Sequence, residues 1–373
     1  MTTSTMLAQI YSLPAMLRDI WPTFDRDARA VLDRDLCLSA RRLSLTGCGD
    51  SHHATLAAEL AFESLAGLAT EPMTALQFSR YAVEFLPPGG PGTNLVIGIS
   101  ISGEVSRTLE AMLRARKVGA TVIGLSGTPG SRIAQAGDRF LPVVTPPFDF
   151  APGVRTYVAT VLMLYAAAVR LGEARGKLAP DQADKTRQEI ASLADAIEQT
   201  IARCDEPVRQ LAHDWQDASE FVFTGGGPNF GTALFSAAKI LEASGDSALG
   251  QDTEEWAHLQ YFGRVTATPT FIITAGDRDL SRAREVAVAA KTIGRRVASI
   301  VPQDLEGLSA DATLRFVPVR EIFSPLVACI PGMLFAAYRA DVIGEPYFRA
   351  FGGGRDVSGG GGISRIRASQ MIE

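Results

Sequence analysis

Cysteine is scarce in this 373-residue chain: Cys37, Cys48, Cys204 and Cys329 are the only four, and no two stand at CxxC spacing. Isolated thiols of this kind exclude a disulfide framework and predict reduced, mostly buried side chains in a cytoplasmic protein. Histidine is equally sparse, four residues without an HExxH motif, so no metal and no other cofactor is expected. No block of basic residues is present and the net charge is −5, which excludes nucleic acid as a general partner. The N-terminus, MTTSTMLAQIYSLPAM, lacks a basic start followed by a long apolar run and is not read as a signal peptide. The most apolar stretch, TYVATVLMLYAAAV from Thr156 to Val169, is short for a bilayer and predicts a buried helix, hence no membrane partner. A Walker A motif is missing, and a GxGxxG reading that starts at Gly47 and Gly49 fails at His52.

What is present is a soluble globular composition, 46% hydrophobic and 21% charged, in a length that suits two domains. The two halves repeat one pattern. RRLSLTGCGDSHHATLAAELAFESL (Arg41 to Leu65) has its echo in SEFVFTGGGPNFGTALFSAAKILEA (Ser219 to Ala243). Each is a β-prone run, a Gly-rich turn and a helix of small residues. NLVIGISISGEVSRTLEAMLRARKVGATVIGLSG follows in the first half and TPTFIITAGDRDLSRAREVAVAAKTIGRRVASIVP in the second. Further β-prone runs are RFLPVV (Arg139 to Val144) and LRFVPV (Leu314 to Val319). Alternating β and α signals predict parallel sheets with helices on both faces, duplicated at a period of roughly 180 residues.

Between the halves, Ile190, Leu193, Ala194, Ile197 and Ile201 stand at helical spacing and predict a linker helix, with Pro180 and Pro207 as boundaries. The expected organisation is an N-terminal helical segment (1–35), a first domain (36–175), the linker (176–206), a second domain (207–346) and a Gly/Arg-rich tail (347–373). Two readings of the tail stand: a flexible end, or a segment that folds over a ligand and brings Arg355 to an anion.

In a parallel α/β sheet, ligands sit beyond the carboxyl ends of the strands. The turn Cys48-Gly49-Asp50-Ser51 lies there, at a helix N-terminus whose unpaired N–H groups favour an anion. A second turn, Ser100-Ile101-Ser102-Gly103-Glu104, follows the next strand, with Ser106 one turn on. Two Ser-rich turns on adjacent strands can enclose one phosphate. The alternative is that Asp50 and Ser102 merely cap helices.

These residues resemble the sugar isomerase (SIS) family, and over roughly residues 6 to 345 the double-SIS isomerase half of glutamine–fructose-6-phosphate aminotransferase, the phosphosugar isomerases and the fructosamine-6-phosphate deglycases. MLAQIYSLPAML, GCGDS, AFESLAG and SISGEVSRTLEA carry the likeness, the last being the most specific. The resemblance implies α/β architecture with two tandem SIS-type doubly wound parallel-sheet domains joined by a linker helix. It implies a sugar-phosphate ligand held by Gly49, Ser51, Ser100, Ser102 and Ser106, with Asp50 and Thr156 as further contacts. Val105 stands where the family has threonine, and Ile101 where it has glutamine.

The resemblance also implies that the second half carries the chemistry: Lys239 and Glu242, three apart in FSAAKILEASG, and His258, 16 positions beyond Glu242 in EEWAHLQ. Residues at i and i+3 share a helix face. A carboxylate over the C1–C2 edge is a suitable general base and then acid, its pKa expected to rise in a partly dry pocket. A histidine can open the sugar ring, and in the relatives it reaches the neighbouring subunit, which implies a homodimer with the active site near the interface. The bland readings are a surface ion pair at 239 and 242 and a structural histidine at 258. Glu254 and Glu255 either act on substrate or cap a helix, and His52 and His53 face either the site or solvent.

No glutaminase segment precedes the isomerase-like part, so glutamine-dependent amination is not expected. The last lysine is Lys291, so the tail offers only arginines, which disfavours imine chemistry there. The expected function is isomerisation of a sugar phosphate or amino-sugar/ketosamine phosphate, with or without deamination or deglycation, through Glu242. The alternative is a non-catalytic sugar-phosphate sensor.

Overall fold

The computed structural model describes residues 4–351 and 369–372, and its strands form two five-stranded parallel sheets. The first holds β1 (Arg42–Gly47), β2 (Ala69–Thr74), β3 (Asn94–Ile99), β4 (Thr121–Ser126) and β5 (Arg139–Pro142), in the order β2-β1-β3-β4-β5. The second holds β6 (Glu220–Gly225), β7 (Ser247–Asp252), β8 (Thr270–Ile273), β9 (Val297–Pro302) and β10 (Ala312–Phe316), in the order β7-β6-β8-β9-β10. The two orders are the same, as the internal repeat requires. Both place a topological switch point between the first and third strands of the set, where a doubly wound sheet opens a crevice for ligand.

The α-helices in chain order are α1 (Thr5–Tyr11), α2 (Leu13–Val31), α3 (Arg34–Ser39), α4 (Asp50–Ala61), α5 (Ala75–Gln77), α6 (Ser106–Lys117) and α7 (Arg132–Ala136). They continue as α8 (Val154–Ala174), α9 (Pro180–Asp214), α10 (Pro228–Ala243), α11 (Thr253–Leu259), α12 (Leu280–Thr292) and α13 (Pro325–Ile343). Two compact units result. The first consists of Met16–Pro147 and Arg155–Ala191 with the chain end; the second consists of the segment ending at Ala15, Phe148–Val154 and Ser192–Ala350.

In the first unit β3, NLVIGI, is buried at every position, as a central parallel strand without a wet face must be. Small residues on α4 (Ala54, Ala57, Ala58, Ala61) are buried and let the helix lie close to the sheet. Val96, Val122, Leu109, Met112 and Phe78 form the core on the face covered by α6. In the second unit Val222, Ile272, Val297, Trp256 and Val286 do the same under α11 and α12.

Three expectations change. β2 and β7 were not legible as strands. They are edge strands, exposed at alternate positions, and β2 contains Pro72, tolerable only where one side of the strand lacks a partner. Helix α9 runs through Pro207, expected to end it, and on to Asp214. The apolar stripe of Ile201, Cys204, Val208 and Leu211 continues past the proline and stays buried, which outweighs the one lost helical hydrogen bond. Helix α8 has 21 residues, so it is not too short for a bilayer; α8 and α13 both pass that test on length and composition. In the fold 89% and 78% of their most apolar windows are buried.

Candidate functional site

The site in the first unit is set by register. Gly47 at the end of β1 pairs with Ile99 at the end of β3, so the two strands release their turns side by side. A Cβ on Gly47 would stand 2.8 Å from Ser51 Cβ and 3.1 Å from the Ile99 carbonyl oxygen, so only glycine lets these segments approach so closely. Gly49 then takes φ 56°, ψ −129° as the cap of α4, with Asp50 and Ser51 as the first helical residues. The helix presents its N-terminal N–H groups at the switch point.

The second turn is fixed from beneath. Ser100 donates its N–H to the Leu125 carbonyl and Gly103 its N–H to the Ser100 carbonyl. Gly103 has φ 71°, and a Cβ there would lie 2.0 Å from the Ser131 hydroxyl. Ser100 is 2% exposed, yet its Oγ has no hydrogen-bond partner among the described residues. A buried hydroxyl left unpaired is costly, and an anion held at this turn would supply the missing partner. Ser102 is exposed and its hydroxyl accepts from the Glu104 N–H at 3.4 Å, so a local capping bond coexists with access from solvent. Ser106 is the first residue of α6 and buried. The five phosphate candidates Gly49, Ser51, Ser100, Ser102 and Ser106 therefore all belong to the paired β1 and β3 turns.

Asp50 and His53 approach at 3.5 Å on the first turn of α4. His52 is driven down to about pKa 4, chiefly by burial and then by His53, so it is neutral near pH 7. Thr156 is half-buried in the first turn of α8, where its carbonyl accepts from the Thr160 hydroxyl at 2.8 Å. Arg355 lies outside the described residues. The chain end docks on α6: Arg107 donates to the Ser369 hydroxyl at 2.7 Å and the Gln370 carbonyl at 2.6 Å, and the Ile372 N–H donates to Glu110 at 3.0 Å. Met371 packs against the core cluster. Sequence reasoning missed this docking because the segment carries no periodic pattern.

The equivalent switch point in the second unit is built differently. Gly227 repeats the Gly49 conformation at φ 53°, ψ −129°. After β8, however, the hydroxyl turn is replaced by Thr274-Ala275-Gly276-Asp277-Arg278-Asp279. Asp279, at the cap of α12 as Val105 is at the cap of α6, accepts from the Thr274 hydroxyl at 2.6 Å. A Cβ on Gly226 would meet the Asp279 carboxylate at 3.0 Å. Burial raises the Asp279 pKa. A carboxylate fixed against this glycine turn opposes a phosphate by like charge and by occupying the space.

The second unit brings Lys239 and Glu242 together on α10. Lys239 is 0% exposed, its ammonium is hydrogen-bonded to Glu242, and it lies over the Phe235 ring at 5.1 Å from the centroid. Glu242 keeps 31% of its side chain exposed, so the pair is no ordinary surface bridge. His258, in the last turn of α11, is 65% exposed and not a buried structural histidine. Its Nε2 lies 2.9 Å from Glu254, which also pairs with Arg282 at 2.6 Å. The hydrogen bond from His258, then that from Arg282, lowers the Glu254 pKa. Glu255 is exposed.

Residues 37–170 match the SIS domain family. The glutamine–fructose-6-phosphate aminotransferase [isomerizing] of Gloeobacter violaceus is 27% identical over 342 residues, covering 90% of this chain and 55% of that protein. The chain thus spans about half the length of the curated relatives it matches. Among solved structures, the C-terminal domain of glucosamine-fructose-6-phosphate aminotransferase from Francisella tularensis superposes with TM-score 0.80 at 17% identity, covering 91% of this chain and 96% of that one. Glucosamine-6-phosphate deaminase from Thermotoga maritima superposes with TM-score 0.66 at 20% identity, covering 91% and 95%. At these identities the superpositions establish the fold: two tandem SIS-type α/β domains.

Proposed function

We propose that the protein is a phosphosugar isomerase acting on a sugar phosphate or an amino-sugar or ketosamine phosphate. The unpaired, buried Ser100 hydroxyl between two glycine-serine turns carries this reading, because phosphate oxygens accept from hydroxyl and backbone N–H groups. Ser51, Ser100, Ser102 and Ser106 hold the phosphate with the α4 N-terminus. Glu242 is the general base: it takes the proton from C2 of the open-chain aldose and returns it to C1, while the hydroxyl proton moves between O2 and O1 through an enediol. Lys239 hydrogen-bonds the Glu242 carboxylate and holds it in position. His258 delivers the proton that opens the ring. An amine or amino-acid substituent on C1 or C2 makes the intermediate an enamine, whose hydrolysis gives deamination or deglycation at the same groups.

Homodimerisation is part of this reading. It is supported by the exposed apolar residues that follow His258: Leu259, Tyr261, Phe262 and Val265. A second copy would bury them.

Incubation with a panel of aldose, ketose and amino-sugar phosphates in deuterated water tests the assignment. Solvent deuterium should enter at C2 for at least one of them, and Glu242→Gln should slow it by roughly 10²–10⁴-fold. Failure of exchange with every compound, while one of them still raises the melting temperature, would instead favour a sensor without turnover. The replacement of the family threonine and glutamine by Val105 and Ile101 in the second turn is what keeps that second reading open.

A further inference from the structure

We propose that a groove at the opposite end of the first unit's sheet binds a second anion, a small molecule carrying phosphate or diphosphate. The groove has a volume of about 450 Å³ and is lined by Leu38, Arg41, Ala66, Gly67, Arg175, Gly176 and Lys177. Arg41 directly precedes β1 and Gly67 stands two residues before β2, so the groove opens at the amino ends of these strands. The Ser turns leave the carboxyl ends. A six-residue strand separates the two by roughly 20 Å, so the groove is no extension of the switch-point crevice.

Its chemistry is one-sided. Three cations line it and no carboxylate does. Two of them are held in place by backbone carbonyls. Arg41 donates through Nη1 to Leu38, Ser39 and Ala40, at the C-terminus of α3. Arg175 donates through Nε to Ala66 at 3.1 Å, and through Nη1 to Cys37 at 3.1 Å and to Ala40. Capping a helix C-terminus accounts for these bonds, and for nothing more. Among the described residues, Nε and Nη2 of Arg41, Nη2 of Arg175 and Nζ of Lys177 have no hydrogen-bond partner. The open Nε–Nη2 edge of Arg41 is the one that binds phosphate or carboxylate oxygens in bidentate fashion.

The floor is equally suited to a ligand. Gly67 (φ 57°) and Gly176 (φ 72°) both need the left-handed region, and a Cβ on Gly176 would meet nothing within 4 Å. Their own N–H groups are satisfied internally, Gly67 by the Glu63 carbonyl and Gly176 by the Glu173 carbonyl, so the glycines supply open space and the cations supply the contacts. The volume exceeds that of a lone phosphate and falls within the roughly 300–1,000 Å³ of small-molecule sites. A phosphate or diphosphate ester fits both the charge and the space.

The test uses the full chain carrying Ser100→Ala and Ser102→Ala, so that the turns of the first site do not contribute. Calorimetric titration of inorganic pyrophosphate should show saturable binding, and hydrogen exchange should slow at Gly67–Leu68 and Gly176–Lys177. Lys177→Glu in that background should weaken binding about tenfold or more, and Lys177→Arg should retain it. The Lys177 side chain makes no hydrogen bond or ion pair among the described residues, so neither change threatens the fold. Absence of saturable binding in the double-serine background, or an unchanged affinity in Lys177→Glu, overturns the proposal. So does protection confined to the 47–51 and 100–106 turns.

Discussion

Lys239 is wholly buried on α10 and its ammonium is bonded to Glu242, one turn further along and partly open to solvent. Such a pair is asymmetric: the lysine has been removed from water, while the carboxylate still faces the outside. Removing the carboxylate's charge takes a charged hydrogen-bond partner from a buried cation. Glu242→Gln should therefore lower stability by about 1–3 kcal/mol, less than the loss from a fully enclosed pair. It should also cut C2 exchange by roughly 10²–10⁴-fold, the range expected of a general base. Denaturant melts and deuterium incorporation measured on the same sample separate the two effects. A variant that loses stability but keeps its exchange rate would assign the pair to the fold alone.

Ser100→Ala should have opposite effects on the free and the bound protein. The hydroxyl it removes is buried and unpaired, so the free protein should be as stable as before or gain up to about 1 kcal/mol. Binding of a phosphosugar should weaken about 10–150-fold, the equivalent of one hydrogen bond to a charged group. Thermal melts with and without glucosamine 6-phosphate or fructose 6-phosphate read both numbers.

Gly103→Ala should be among the most damaging single methyl additions in the first unit. The residue combines φ 71° with a Cβ position 2.0 Å from the Ser131 hydroxyl. A cost of about 2–4 kcal/mol is expected, since the turn must unwind or Ser131 must leave its cap on α7. Loss of phosphate binding should accompany it. Ser131→Ala together with Gly103→Ala should recover only part of the stability, because the backbone strain persists.

Burial on α4, with Glu63 and Glu71 nearby, pushes the Glu59 carboxyl up to about 7. Its folded pKa lies above the unfolded value, so the folded state holds the proton more tightly. The associated stability is fully present below about pH 4.5 and is lost as pH rises through 7. Glu59→Gln should raise the melting temperature by a few degrees at pH 8 and leave it unchanged at pH 4. Equal effects at both pH values would refute the assignment.

Much of this molecule could be read before its structure. Glycine-serine turns after apolar runs are local signals, and they located β1, β3, β6 and β8 with the helices that follow. The repeat was legible because Gly49 and Gly227 need the same unusual backbone angles, a demand made on the residue itself. β2 and β7 escaped because an edge strand is defined by its neighbour and its own side chains are half solvated. Pro207 misled because whether a helix survives proline depends on what its far side packs against. The basic groove was invisible because Arg41 and Arg175 stand 134 positions apart in the chain and meet through one shared acceptor, the Ala40 carbonyl. Asp279 escaped for a similar reason: beside Asp277 and Arg278 it reads as a polar loop residue, and only the fold turns it against Gly226.

The inward turn of Asp279 bears on how a doubled chain can evolve. Once one half keeps the hydroxyls that grip an anion, its twin is released from that duty and can convert the same crevice into internal scaffolding. Two halves with one topology then stop competing for the same molecule.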